Sequence, residues 1–186
     1  MLAKQFEQGK VRTHAKRLKA LLEWKLDVLV RRNRTCQDLL ERFEKMIANY
    51  NTGIISAEEF LGRPSQVAKD LTDEERRSIS ENLSEEELAI LDLLLKPAVE
   101  LTKEERESVK AVAHELLETL RREKLILDWR KKQQSRAAVR LTIEEMLDRL
   151  PEAFDKKLYE QKCDLVYQHV YKSYFGAGES AYGSSA

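Results

Sequence analysis

The sequence predicts an all-α protein: an irregular bundle of about seven helices followed by a disordered C-terminal tail. Three observations support this. Apolar side chains recur at three- and four-residue intervals in one stretch after another. Leu, Glu, Lys, Arg and Ala dominate, while only 6 Gly and 3 Pro occur in 186 residues, a composition that favours helices. Between the stretches lie helix punctuation signals, namely Ser or Thr followed three residues later by Glu, and isolated Gly or Pro.

The elements follow in chain order. Residues 16–32 carry two patterns. Ala20, Leu22, Trp24, Leu26, Val28 and Val30 alternate like a strand, whereas Leu18, Leu21, Leu22 and Leu29 repeat like a helix. The Lys, Glu and Leu content decides for helix. Over 36–50 the stripe of Leu39, Leu40, Phe43, Met46, Ile47 and Tyr50 is plainly helical and ends at Asn51-Thr-Gly53. Ser56 is placed to cap a short helix through Leu61, and Gly62-Arg-Pro64 breaks it.

Three capping-box patterns come next: Thr72-x-x-Glu75, Ser84-x-x-Glu87 and Thr102-x-x-Glu105. The last opens a helix whose face is Val109, Val112, Ala113, Leu116, Leu117 and Leu120, and Pro97 separates it from a helix over 88–95. After a break near 125–128, a helix is expected from Trp129 to Leu150, stopped by Pro151. A final helix over 155–174 presents Tyr159, Cys163, Val166, Tyr167, Val170, Tyr171 and Tyr174 on one face. Residues 176–186 are mostly Gly, Ser and Ala and are expected to be disordered. The organisation read from this is an N-terminal extension over 1–14, a helical assembly domain over 15–175 and a tail over 176–186.

Charge is balanced overall and uneven locally. Residues 1–55 hold 12 basic and 6 acidic side chains, a net +6, and residues 56–120 hold 8 and 17, a net −9. Residues 121–150 hold 9 and 5, a net +4, and residues 151–186 hold 4 and 5, a net −1. A dedicated nucleic-acid binder normally carries a net basic charge, so zero argues against one. Cys36 and Cys163 are far apart with no CxxC pair, which argues against a disulfide framework or zinc site and fits a reducing, cytoplasmic setting. No membrane-spanning run or signal-peptide core is present.

The 6 glycines form neither a phosphate-binding P-loop nor a GxGxxG fingerprint. His14, His114 and His169 each lack a second ligand at metal spacing. Glu23-Trp-Lys25 has the form of a nuclease ExK but no upstream strand with a catalytic Asp, and such triplets arise by chance in a chain this charged. The sequence thus nominates no catalytic residue, no metal ligand and no cofactor.

The most informative stretch is Leu127-Asp-Trp-Arg-Lys-Lys-Gln-Gln-Ser-Arg-Ala-Ala-Val-Arg140. Projecting the apolar face of Val139, Ile143, Met146, Leu147 and Leu150 backward places Lys132 and Arg136 on it, with Trp129 one turn earlier. A helix built only for a core would put aliphatic residues there, because an unpaired buried charge is costly. Trp129, Arg130, Lys132, Arg136 and Arg140 are therefore the interface candidates. Three roles stay open for this basic tract: pairing with the acidic 56–120 segment, contact with a partner protein, and binding of phosphates. The tyrosines at 159, 167, 171 and 174 could stack bases, although aromatics at helical spacing more often form a packed face.

Four stretches carry a family resemblance. They are Asn82-Leu-Ser-Glu-Glu-Glu-Leu-Ala-Ile90, Leu125-Ile-Leu-Asp-Trp-Arg-Lys-Lys-Gln-Gln134 continuing to Arg140, Glu160-Gln-Lys-Cys-Asp-Leu-Val-Tyr-Gln-His-Val-Tyr171, and the pattern Arg42-Phe … Asn49-Tyr-Asn51 … Gly53 … Glu58-Glu-Phe60. Together they resemble the C-terminal helical region of the R subunit of type I restriction-modification enzymes, over roughly residues 15–175. The resemblance implies a large parent that joins a PD-(D/E)xK endonuclease domain and two RecA-like, ATP-driven translocase domains to this region. It also implies that the region docks onto the methyltransferase and specificity subunits, meeting DNA only indirectly through that complex. No nuclease or ATPase residue of the family has a matching position here, so this chain is expected to cleave nothing by itself. Trp129, Lys132 and Arg136 are the matching positions of interest. One departure is Gly62-Arg-Pro64, where the family continues a helix. The alternative reading is a helical nucleic-acid-binding module that uses residues 130–140.

Overall fold

The computed structural model describes residues 2–62, 64–97 and 99–183, with the side chains of 2–10, 64–68 and 75 outside the description. Two compact units emerge, Met1–Glu81 and Asn82–Ala186. Among the described residues they contain eight α-helices and one two-stranded antiparallel hairpin, so the protein is essentially all-α.

The first unit opens with α1 (Leu2–Arg32). The two patterns over 16–32 are decided by where side chains go. A strand would put Leu22, Trp24 and Leu26 on one face, but Leu22 and Leu26 are buried while Trp24 is 63% exposed. Asn33 ends α1 and starts a single 3-10 turn, its Oδ1 accepting from the backbone N–H of Thr35 at 3.1 Å and from the Thr35 hydroxyl at 2.8 Å. Helix α2 (Gln37–Asn51) follows the predicted stripe. Gly53 closes it at φ +75, a left-handed conformation suited to glycine.

Helix α3 (Ala57–Gly62) has a reciprocal cap, in which the Glu59 N–H donates to Ser56 Oγ and the Ser56 N–H donates to Glu59 Oε2. Helix α4 (Pro64–Ser80) begins at a proline, whose missing N–H costs nothing at a first helical position. The predicted break at 62–64 therefore separates two helices, with Arg63 outside the described residues. Thr72-x-x-Glu75 does not start a helix; it lies inside α4. The spacing that makes a capping box also joins two neighbours on one face of a continuing helix. Leu22, Leu26, Phe43, Ile47, Phe60 and Leu71 form the core of this unit.

The second unit is built around α5 (Glu85–Leu95). Every residue from Leu88 to Leu94 is buried, so this stretch leaves no face to solvent, the mark of a central helix. Helices α6 (Lys103–Thr119) and α8 (Lys156–Ser173) pack on it, and α7 (Gln133–Leu147) packs on both of those. The capping boxes at Ser84 and Thr102 form as predicted, and Asp155 caps α8 through the Leu158 N–H. A π-helical turn, Leu120–Lys124, extends α6.

Two expectations are corrected here. The helix predicted from Trp129 starts only at Gln133. Asp128 is left-handed at φ +58, and Lys132 is extended at φ −91, ψ 124, so residues 126–131 form turns instead. Residues 176–183, expected to be disordered, carry structure: β1 (Tyr174–Gly176) pairs with β2 (Glu179–Ser180), and the Ala181 N–H donates to Ser173 O at 2.8 Å. Gly176, Ala177 and Gly178 all have positive φ, which makes the tight turn that small residues permit. Residues 184–186 lie outside the described residues.

Candidate functional site

The site develops from the break between α6 and α7. Trp129 is fully buried, and its indole N–H donates to Tyr174 O at 3.2 Å. Its ring meets Tyr171 edge-on at 5.8 Å between centroids. A buried tryptophan needs a partner for its N–H, and the end of α8 supplies one. The turn is drawn inward to reach it, which is why α7 cannot start at Trp129.

Arg130 lies outside this anchor. Its guanidinium sits over the Phe175 ring at 4.9 Å and the Tyr171 ring at 5.6 Å, and Nη1–H donates to Tyr171 O at 3.1 Å. Arg136 donates from Nη1 to Arg130 O at 2.7 Å. It thus satisfies itself on backbone, without the carboxylate from residues 56–120 that a buried cation would need. Arg140 donates to Asp164 at 2.6 Å and Glu144 at 2.9 Å, and lies 5.7 Å from the Tyr167 ring centroid. These two carboxylates, Asp164 first, hold its guanidinium even more firmly protonated than usual. Lys132 is exposed at the N-cap of α7, where no side chain caps the helix.

Of the five sequence-nominated residues, the fold brings Trp129, Arg130 and Arg136 together, ties Arg140 to α8, and leaves Lys132 in solvent. The backward projection of the α7 face fails at Lys132 because a helical phase holds only within the helix.

Several functional-looking residues escaped the sequence reading. Lys162 is 1% exposed, and its ammonium donates to Leu93 O at 2.8 Å and Lys96 O at 2.6 Å at the C-terminal end of α5. Burial lowers its pKa, and the carbonyl-rich end of a helix favours a cation. Glu86, also buried, accepts from the Tyr174 hydroxyl at 2.5 Å and from Arg121. Burial, reinforced by Glu86, pushes the Tyr174 hydroxyl pKa far up. His169 is buried between Ser173 and Tyr182, with the Tyr182 hydroxyl 3.1 Å from Nε2. A signal existed for Lys162: it falls between Tyr159 and Val166 on the apolar side of the last helix.

Chemically, the arrangement is a brace. The WRKKQQ stretch links α7, the end of α8 and the hairpin, with the side chains of Trp129, Arg130 and Lys131 bonded within the unit. Among the described residues no group of three or more His, Cys, Asp or Glu side chains could hold a metal ion, and no helix is long and apolar enough to cross a membrane.

The family model described as "Type I restriction enzyme HindI endonuclease subunit-like, C-terminal" matches residues 1–174. That span covers every helix of both units. No curated protein and no solved structure matches the chain.

Proposed function

This chain belongs to the family of C-terminal regions of HindI-like type I restriction enzyme endonuclease subunits, and from that premise we propose that it is a docking domain. In this reading residues 15–175 hold the ATP-dependent translocase and endonuclease parts of the subunit against the methyltransferase–specificity core, with 1–14 as an extension. The domain itself catalyses nothing, meets DNA only through the complex, and works in the cytoplasm. The observation that supports this most is the internal use of the signature stretch. Trp129, Arg136 and Arg140 are bonded within their own unit, which stiffens a scaffold.

The test is co-purification of the chain with the matching methyltransferase and specificity subunits, alongside ATPase and nuclease assays of the chain alone. A stable complex and activities no higher than a blank are expected. Activity that follows the chain through a final column and disappears with Glu23→Ala would sink the non-catalytic reading.

The nucleic-acid alternative draws on the consecutive cations Arg130, Lys131 and Lys132. Against it, Lys131 is paired with Asp128 at 2.8 Å, and residues 82–186 carry 17 basic against 20 acidic side chains, a net −3. Phosphate binding weakens steeply with salt, whereas an apolar docking surface barely responds. A salt titration of duplex binding therefore separates the two readings.

A further inference from the structure

One corner of the second unit exposes apolar surface that its core does not use. Leu127 is 68% exposed, Ile126 51%, Phe175 42% and Tyr171 39%. Single exposed apolar residues are ordinary, but a group of them marks an interaction surface. Backbone bonds and ring contacts set the segments that carry them side by side. Ile126 and Leu127 occupy the turn in which the Trp129 N–H donates to Ile126 O at 3.2 Å. That turn abuts the hairpin, since the Ala177 N–H donates to Leu125 O at 3.2 Å. Arg130 bridges Tyr171 and Phe175 by stacking over both rings. The rings are thus held in place before any partner arrives, which limits the ordering cost of binding.

Charge says what the partner looks like. Elsewhere in this unit arginines are paired: Arg121 with Glu86, Arg140 with Asp164, Arg149 with Glu115. At this corner Arg130 and Lys172 form no ion pair with a carboxylate among the described residues, and Lys132 feels only the field of Asp128, whose carboxylate is bonded to Lys131. A net-acidic unit therefore gathers unpaired positive charge around an apolar patch. We infer that the shelf of Leu127, Arg130, Tyr171 and Phe175 binds an acidic segment of a partner protein, with an aliphatic or aromatic side chain of that segment seated against Leu127 and Phe175 and its carboxylates facing Arg130 and Lys132.

Single-stranded nucleic acid fits less well. Ile126 and Leu127 offer no stacking face, Arg130 already covers the rings, and three cations allow few phosphate contacts. The inference rests on the docking role proposed above and identifies the surface and the partner chemistry that serve it.

The experiment measures binding of the full 186-residue chain to the purified methyltransferase–specificity complex of the same system, for the parent and for Leu127→Asp and Lys132→Glu. Both positions are exposed, and thermal melts check that the variants fold. Each substitution should weaken binding at least about tenfold, while Lys156→Glu, at the opposite end of α8, should leave it unchanged. A photo-crosslinker at position 127 should join the chain to an acidic stretch of the complex. Parent-like binding by both folded variants, or a crosslink to a basic or neutral stretch, overturns the shelf and leaves the docking role standing. No binding by the parent overturns both. Salt-sensitive binding of a 20-nucleotide oligo-dT (about 20 nucleotides spans several stacking sites) that Lys132→Glu abolishes overturns the inference in favour of nucleic acid.

Discussion

Lys132 and Lys162 look alike in the sequence, and the fold treats them in opposite ways. Each is a cation that helical projection places on an apolar face. Lys132 ends up in solvent, one residue before α7 begins. Lys162 sits inside α8, fully enclosed, with its ammonium on two carbonyls of the α5 terminus. The difference lies in the backbone. Within a helix the 3.6-residue period fixes direction, and a charge on the inner face must find buried acceptors. Before the first turn no such constraint exists. A charge on a projected face is informative only after the helix boundary is known.

The largest expected effect breaks or confirms this contrast directly. Lys162→Met keeps length and shape but leaves Leu93 O and Lys96 O without their donor. Unmet buried acceptors and lost charge-assisted bonds cost several kcal/mol, partly offset because a charge is no longer buried. A net loss of about 3 kcal/mol is expected from urea unfolding. Lys132→Met should change stability by no more than about 0.5 kcal/mol, as surface substitutions do. Equal losses would mean that α7 starts earlier than Gln133 and that Lys132 is buried after all.

A smaller effect sharpens the contrast at the segment that displaces the start of α7. Gly176 and Gly178 both have left-handed backbones, at φ +101 and +84. A Cβ on Gly176 would lie 2.6 Å from Ile126 O, whereas one on Gly178 meets nothing within 4 Å. Gly178→Ala should therefore carry backbone strain alone, about 1 kcal/mol. Gly176→Ala should cost about 2 kcal/mol, because it also pushes the 126–129 turn off the hairpin. If both variants melt like the parent, the hairpin is not docked and the tail is as disordered as its composition suggests.

Those two cases show why the sequence was only partly readable. Helices α2, α5, α6 and α8 were legible because their apolar stripes, caps and stops agree with one another. Helix α7 was legible in its body, where Val139, Ile143 and Leu147 are buried, but not at its start. The start depends on Trp129 reaching Tyr174, a residue 45 positions away, and no local signal encodes that. The hairpin was missed for a related reason. Its Gly-Ala-Gly turn reads as a disordered composition, and what orders it is pairing with Ser173 and Leu125. At the site, the sequence singles out Trp129 and Arg130, and the fold sets them beside the end of α8. Tyr171 and Phe175 were not tied to them, because the partnership exists only once the end of α8 is laid beside the turn.

The smallest effect concerns a charge that is neither buried like Lys162 nor left in solvent like Lys132. His114 on α6 contacts Glu87, the carboxylate that also closes the capping box of α5. The bond to Glu87 raises the His114 pKa, against a smaller opposing effect of burial. Burial alone would raise the Glu87 pKa, but the bonds from His114 and Ser84 outweigh it and lower the value. The two shifts act in different pH windows. The histidine's contribution is complete below its ordinary value of 6.5 and is lost as pH rises through the raised value. The glutamate's contribution is present above its ordinary value of 4.5 and is lost as pH falls through the lowered value. Both act together between about pH 4.5 and 6.5. The His114 side chain is 53% exposed, so solvent screening keeps the pair below about 1 kcal/mol. His114→Gln should accordingly lower the melting temperature slightly near pH 5.5 and hardly at all near pH 8.5. A deficit that is the same at both pH values would assign the loss to packing of the ring, not to its charge.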